Sequence, residues 1–395
     1  IYEDILSGEF GNNLREVDAR GKTLGEKISS EPKVGNNLYT SLDLKSHQVA
    51  HKAFNNRKGA VVAIDISDGS IVTLFSSPTF STNQLANGIL QKDFDELLLS
   101  EEKPFFNRAL RGRYPPASSI KPAIAMYGIE EGLIDWNFSI FDEGFFTLPE
   151  DGRIYRDWKE GGHGDTNLFK AITQSSNTYF FDLAYRSDIN QLNKHLSSLG
   201  FGDKACIDCF EEDQVFVPEP SWKMNKHNFG WFKGDTVNIG VGQGYLVSTP
   251  IQLAKYAYII ANKGKFSDLS IKKNLAKNEK SIEFNKFSND DWLKLHESMV
   301  NVIEGNTGTA RRLREKKNYI VAAKTGTAEL VSGDNREQYS ETRLDDSLRD
   351  HALIIAFGPM PNPRYAVSVV VENGESGGSV AGPIAISVLN SLIQE

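Results

Sequence analysis

Residues 59–66 read Gly-Ala-Val-Val-Ala-Ile-Asp-Ile; after Ser67-Asp68-Gly69-Ser70 the chain resumes with Ile71-Val72-Thr73-Leu74-Phe75. Two β-rich runs flanking an Asp-Gly turn are the strongest short-range signal for an antiparallel hairpin. Similar runs return only at the far end, at Tyr319 to Ala323, Ala352 to Phe357 and Tyr365 to Val371. The turn Pro359-Met360-Pro361-Asn362-Pro363 separates the last two. Ala381 to Gln394 then reads as a helix, with Ile384, Ile386, Val388, Leu389 and Leu392 apolar. The fold class is α/β in the broad sense and α+β more narrowly. We expect an antiparallel sheet of about five strands, drawn from both chain ends, with terminal helices covering a face and a large helical insertion between.

The insertion, residues 80–318, is helical and rich in loops. Expected helices are Lys121 to Glu131, Asn167 to Tyr185, Ile189 to Leu199, Thr249 to Asn262 and Asp290 to Ile303. The polar stretch Val331 to Asp350 reads as an exposed loop. Residues 1–37 have weak periodicity and a turn at Arg20-Gly21-Lys22, and read as the tail of a preceding domain; residues 38–395 form the main one.

With 395 residues, 39% hydrophobic and 24% charged, the chain has the composition of a globular protein. Its net charge of −8, with no long basic run, argues against nucleic acid as a partner. No apolar run approaches the roughly 18 residues of a membrane span. Because the chain starts at Ile1 and not Met, a fragment or processed product is expected, with any anchor upstream. Cys206 and Cys209 form one Cys-x-x-Cys. A local disulfide, half of a metal site, a redox pair and two incidental residues all remain open.

Three short motifs carry chemistry. Ser118-Ser119-Ile120-Lys121 follows the rigid Tyr114-Pro115-Pro116 turn and opens an apolar helix, whose start Pro122 fixes. A serine there, with a lysine one turn on, can be a nucleophile and its base. Other Ser-x-x-Lys matches at Ser30, Ser100 and Ser270 sit in polar surroundings. Ser175-Ser176-Asn177 offers a hydroxyl to relay a proton and an amide to hold a carbonyl. Lys324-Thr325-Gly326-Thr327-Ala328, directly after a strand, offers a cation for an anionic substrate that also repels a charge on Lys121. Gly326 allows close backbone approach, and Thr327 offers an N–H to an oxyanion. Thr307-Gly308-Thr309 lacks the lysine and is set aside. His47 and His51 are spaced for zinc, but Gln48 stands where a protease needs Glu, so a solvated helix face is expected. Gly240 to Gly244 lacks the Lys-Ser/Thr of a phosphate loop.

The order Ser-x-x-Lys, Ser-x-Asn, Lys-Thr-Gly is the signature of penicillin-binding proteins and serine β-lactamases. The flanking text narrows it: Tyr114 to Pro122, Arg156-Asp157-Trp158-Lys159, Gly162-His163-Gly164, Gly234-Asp235-Thr236, Gly240 to Tyr245, Thr249-Pro250-Ile251-Gln252 and Leu348-Arg349-Asp350-His351. Together these resemble the elongation-type, class B penicillin-binding proteins, over nearly the whole chain.

The resemblance implies a transpeptidase fold and a D,D-transpeptidase acting on peptidoglycan stem peptides ending in D-Ala-D-Ala, with D,D-carboxypeptidase activity as a side reaction. It implies Ser118, Lys121, Ser175, Asn177 and Lys324 as catalytic residues and Thr325, Gly326 and Thr327 as substrate-binding ones. It further implies acylation by β-lactams, a RodA-like glycosyltransferase and the scaffold MreC as partners, one upstream inner-membrane anchor and a periplasmic catalytic domain. Residues 1–37 would end a non-catalytic pedestal. No cofactor is required. Some relatives bind zinc through Asp, Asp, His and Cys; the matching positions are Asp142, Asp157, His163 and Ser176, and Ser is a poor zinc ligand beside thiolate. Weak or no zinc is expected, with Asp157 and His163 ordering their loop as a hydrogen-bonded pair. Ala117 replaces a customary Gly, a mild change. A β-lactamase would share the motifs, but the Glu of one such class's Glu-x-x-Leu-Asn is absent: Ile189 and Ile386 occupy its place. A non-catalytic scaffold or a β-lactam sensor with a retained pocket is a third reading.

Overall fold

The computed structural model describes residues 2–275, 278–330 and 348–394. Its main sheet has five strands: β1 (Gly59–Asp65), β2 (Ser70–Ser77), β3 (Ala322–Ala328), β4 (His351–Gly358) and β5 (Tyr365–Val371). All pair antiparallel, in the order β3-β4-β5-β1-β2. The expected sheet from both chain ends is therefore present, and β5 meets β1 at its centre, with Gly59 opposite Val371.

These strands read as continuous apolar runs because both faces are covered. Successive side chains alternate between two cores. Val62, Ile64, Ile355 and Phe357 join one core; Val61, Ala63, Ile354 and Ala356 join the other. The second core is closed by α1 (Leu44–Phe54) and the C-terminal helix, Gly382–Ile393. The first is closed by the central helix Pro250–Ala261, all of whose residues are buried. Thr249 caps that helix and Pro250 opens it. Its Tyr256 hydroxyl accepts the Ala123 N–H at 2.9 Å, which ties α2 (Lys121–Glu131) to the sheet.

Several elements depart from the sequence reading. The helix expected over Asn167 to Tyr185 is two helices, α3 (Leu168–Gln174) and α4 (Asn177–Arg186). Ser175 between them has φ 61°, which ends α3, and Ser176 starts α4 as its N-cap. The strand expected at Tyr319 to Ala323 begins instead at Ala322 and runs through Lys324 to Ala328, so the third motif lies on β3 and not after it. His47 is not on a solvated face: its ring bonds to Asp43 O at 2.6 Å and accepts the Leu74 N–H at 3.1 Å, pinning α1 to β2. The expected loop at Val331 to Asp350 lies outside the described residues up to residue 347.

Residues 12–17 and 23–30 form a separate two-stranded ribbon around Gly21, whose φ is +80°. Every residue in its strands is exposed. Tyr2, before the ribbon, donates its hydroxyl to Asp208. Cys206 and Cys209 are joined in a disulfide, so of the open readings for this pair the local disulfide holds. Asp208 inside that loop accepts the Ile271 and Lys272 N–H groups.

Candidate active site

Ser118 lies in the 3-10 turn Ala117–Ile120 that runs into α2. It is half-buried and lines a cavity of about 450 Å³, whereas Ser119 is buried and donates its hydroxyl to Pro116 O. The turn is braced from behind. Ala117 donates its N–H to Gly242 O at 2.8 Å, and a Cβ on Gly242 would stand 2.2 Å from Ala117 O. On its other side Gly326 lets β3 approach: a Cβ there would stand 3.4 Å from Ala117 Cβ and 3.2 Å from Pro116 O. Ala117 itself has φ 49°, in the left-handed region. The Gly-to-Ala change is thus not mild for the backbone, since a Cβ in that region costs about 1–2 kcal/mol.

The two lysines of the motifs are fully buried. Lys121 Nζ donates to Ser175 O (2.8 Å), Ser176 O (3.1 Å) and Asn177 Oδ1 (2.7 Å), with Ser175 Oγ at 3.4 Å. Among the described residues it makes no hydrogen bond to Ser118. Lys324 Nζ donates to Ser175 Oγ at 2.8 Å and Thr325 O at 3.1 Å. The break between α3 and α4 explains this convergence, because the left-handed Ser175 turns its carbonyl and that of Ser176 onto one amine.

Burial lowers the Lys121 ammonium to about 7, against the opposing pull of Asp157 and Asp142. For Lys324, burial and then the charge of Lys121 push the ammonium well below its ordinary value. The expected repulsion therefore acts on Lys324; what lowers Lys121 is removal from water.

Asp142, Asp157 and His163 do come together, with ligand-capable atoms within 4.8 Å of one another. Asp142 ends the strand Ser139–Asp142, which pairs with Gly164–Asn167 and so sets His163 beside it. The pairing differs from the one expected. His163 Nδ1 bonds to Asp142 Oδ2 at 2.8 Å and stands 3.8 Å from Asp157. Asp157 instead accepts the Asn177 and Thr178 N–H groups at 2.6 and 3.0 Å, as an acid at the start of α4 should. Ser176 Oγ donates to Asp142 Oδ2 at 2.7 Å. Burial works to raise the Asp142 carboxyl, but bonds from His163, Ser176 and Gly144 overcome it and hold it well below the usual carboxylate range.

The donor set offers three ligand atoms but no thiolate, a poorer zinc site than Asp, Asp, His and Cys. His163 turns Nδ1 to Asp142, while its Nε2 is buried without a hydrogen-bond partner among the described residues. The fourth position is a neutral hydroxyl already donating to Asp142. The cluster cross-links the Ser139–Asp142 ribbon to the Ser175-Ser176-Asn177 turn.

The sequence reading missed other parts of the cavity. Trp158 lines it and donates its indole N–H to Ser175 O at 3.2 Å. Thr307-Gly308-Thr309, set aside for lacking a lysine, forms part of its wall, and Thr309 Oγ1 lies 2.7 Å from Thr325 Oγ1. Gly377, at the start of the Gly377–Ala381 turn, also lines it; a Cβ there would stand 2.6 Å from Gly326 O. Strand β3 is an edge strand, so it pairs on one side only and presents alternate backbone groups on the other.

The family model for the penicillin binding protein transpeptidase domain matches residues 59–390. The chain belongs to that family. Among similar proteins, the peptidoglycan D,D-transpeptidase MrdA of Acinetobacter baumannii is 40% identical over 389 residues, covering 96% of this chain and 57% of that protein. The chain thus spans under two thirds of that relative's length. A crystal structure of Pseudomonas aeruginosa penicillin-binding protein 2 is 34% identical with a TM-score of 0.84, covering 94% of this chain and 78% of that one. The Helicobacter pylori penicillin-binding protein 2 in its complex with MreC is 30% identical with a TM-score of 0.88, covering all of this chain and 70% of that one. The transpeptidase fold expected from the motifs is therefore shown.

Proposed function

We propose that the chain is the catalytic portion of a peptidoglycan D,D-transpeptidase of the elongation type, which cross-links stem peptides through an acyl-enzyme on Ser118. The observation that carries this reading is the Lys121–Ser175–Lys324 chain of buried amines and hydroxyl beside an accessible serine. Ser118 Oγ attacks the carbonyl of the penultimate D-Ala, and its proton goes to Lys121, which burial lowers to about 7 so that a large share is the neutral amine near neutral pH. Ser175 passes a proton to the nitrogen of the leaving D-Ala as the C–N bond breaks. Asn177 orients the substrate amide, while Thr325, Gly326 and Thr327 on the β3 edge take the substrate backbone and the developing oxyanion. An acceptor amine from a second stem peptide then takes the acyl group and frees Ser118.

β-Lactams acylate the same serine. MreC and a RodA-like glycosyltransferase are the partners in this reading, the former supported by the Helicobacter complex. Residues 1–37 are the end of a non-catalytic pedestal and residues 38–395 the transpeptidase domain. Their ribbon exposes Leu14, Leu24 and Ile28, and an isolated two-stranded ribbon is marginal in water. The domain is periplasmic, on a single inner-membrane anchor. The disulfide supports an oxidising compartment.

The test is intact-protein mass spectrometry after penicillin treatment, with peptide mapping. A long-lived adduct on Ser118, absent from Ser118→Ala, is expected. An adduct on Ser119 or Ser175 would overturn the assignment. Rapid loss of the adduct would favour a β-lactamase, and labelling without cross-linking of stem peptides would favour a sensor.

A further inference from the structure

We propose that Tyr114 and Glu372 are positioning residues for Ser118: the hydrogen bond between them sets the nucleophile's turn against the strand that carries Lys324. The inference rests on the transpeptidase reading and adds residues that lie outside its three motifs. Neither side chain lines the cavity. Tyr114 is 5% exposed, and Glu372, the residue after β5, is half-buried. The Tyr114 hydroxyl donates to Glu372 Oε1 at 2.7 Å. Burial, and then the Glu372 charge, holds the phenol well above its ordinary value against the pull of Arg108, so the proton stays on the tyrosine. The same carboxylate oxygen takes Arg108 Nε at 2.9 Å. Arg108 is 3% exposed and donates its other two nitrogens to Lys103 O and Glu102 O, at 3.1 and 3.0 Å. One ionised oxygen thus holds a neutral phenol and a buried guanidinium, and hydrogen bonds to a charged group are the strong ones.

Both ends of this link are fixed. Glu372 donates its N–H to Lys58 O at 2.8 Å, and Asn373 donates its own to His351 Nδ1 at 3.0 Å. His351, the first residue of β4, stands edge-on to the Tyr114 ring, with centroids 5.5 Å apart. Tyr114 exchanges both backbone hydrogen bonds with Ser248, at 2.9 and 2.8 Å. Gly112 leaves room for the phenol, since a Cβ there would stand 2.7 Å from its oxygen. Only Pro115, Pro116 and Ala117 separate Tyr114 from Ser118. Two prolines with locked φ give that segment little slack, so a shift of Tyr114 is carried to Ser118 and not absorbed. On the other side β4 pairs with β3, which bears Lys324, Thr325 and Gly326. The Tyr114 ring therefore sits where the nucleophile's turn meets this strand pair, and its hydroxyl ties it to the end of β5. An apolar ring would fill the same space, but apolar contact has no direction, whereas the hydrogen bond holds one orientation.

Two measurements test this on the wild type, Tyr114→Phe, Glu372→Ala and Glu372→Gln. The first is stopped-flow acylation over a range of penicillin concentrations, which separates the pre-covalent dissociation constant from the saturated rate. Tyr114→Phe keeps the ring and the Arg108–Glu372 pair, so the fold should survive. Its saturated rate should fall roughly 10- to 100-fold, the cost of a misplaced nucleophile, with the dissociation constant within about twofold of wild type. Glu372→Ala should lose at least as much, and Glu372→Gln, which keeps an acceptor oxygen, should regain part of it. The second measurement is amide hydrogen exchange across residues 115–121, which reads the turn without chemistry. Exchange there should quicken in Tyr114→Phe, while the central helix Pro250–Ala261 stays as in the wild type. Quickened exchange sustains the positioning role even if penicillin fails to acylate the wild type, a failure that would fall on the transpeptidase reading alone. A wild-type saturated rate or unchanged exchange in Tyr114→Phe would overturn the proposal. So would rate and affinity falling in parallel, or Glu372→Gln no faster than Glu372→Ala.

Discussion

Ser175 Oγ accepts a hydrogen bond from Lys324 Nζ at 2.8 Å while standing 3.4 Å from Lys121 Nζ, so one hydroxyl bridges the two buried amines of the site. That oxygen offers a proton a path between them. Ser175→Ala should therefore reduce the penicillin acylation rate by roughly 10²–10⁴, the usual cost of removing a positioned acid–base group. Stopped-flow labelling measures it. A variant that acylates at the wild-type rate would remove Ser175 from the proton path.

Acylation should depend on pH with a midpoint set by Lys121. In the proposed reaction the base is the neutral amine, so the rate should climb as pH passes upward through about 7 and level off above it. For an amine at its ordinary value near 10.5 the climb would continue well past pH 9. A pH–rate profile of acylation from pH 5 to 10 separates the two, and Lys121→Ala should flatten it.

The turn under Ser118 yields two opposite expectations. Gly242→Ala places a methyl 2.2 Å from Ala117 O at a φ of +71°, so the Ser118 turn must shift; acylation should fall more than tenfold and the melting temperature should drop. Ala117→Gly removes a Cβ from the left-handed region, a gain of about 1–2 kcal/mol, against about 0.5–1 kcal/mol for the added freedom of the unfolded chain. The first effect wins, so Ala117→Gly should raise the melting temperature slightly and leave the acylation rate near wild type. Calorimetry on both variants checks the pair.

Protein purified without chelator should hold little zinc by elemental analysis, and Ser176→Cys should hold more. The thiolate would replace a hydroxyl that now donates to Asp142 with a charged ligand beside two carboxylates and an imidazole. Near-stoichiometric, chelator-sensitive zinc in the unaltered protein would show that Asp142, Asp157 and His163 with water suffice.

Four of the five strands and the three motifs were legible because they rest on local signals: β-rich runs, an Asp-Gly turn, and a serine one helical turn from a lysine; β3 was placed too early, because its polar Lys-Thr-Gly-Thr run carries no β-rich signal. The break at Ser175 was not, because residues 167–185 keep a helical pattern across it and a positive φ at serine leaves no mark in composition. Nor could the sequence choose between Asp142 and Asp157 as partner of His163, since strand pairing decides it. Thr307-Gly308-Thr309 looked like a failed copy of the lysine motif; it is a wall of the same cavity, brought there by the contact between Thr309 and Thr325. The cause of the low Lys121 value was also hidden, because burial is a property of the packed chain.

The pairing of β1 with β5 has a consequence for how such a protein is made. Gly59 is synthesised long before its partner Val371, which lies far downstream in the chain. Contacts so distant in sequence form late and slowly. The strand bearing Lys324 joins the sheet through β4 and β5, and Ser118 is held between that strand and Gly242. A chain still being synthesised therefore has Ser118 and the helix bearing Lys121 before β3 is in place beside them. Truncation anywhere before β5 should therefore leave β3 without the sheet that holds it beside Ser118.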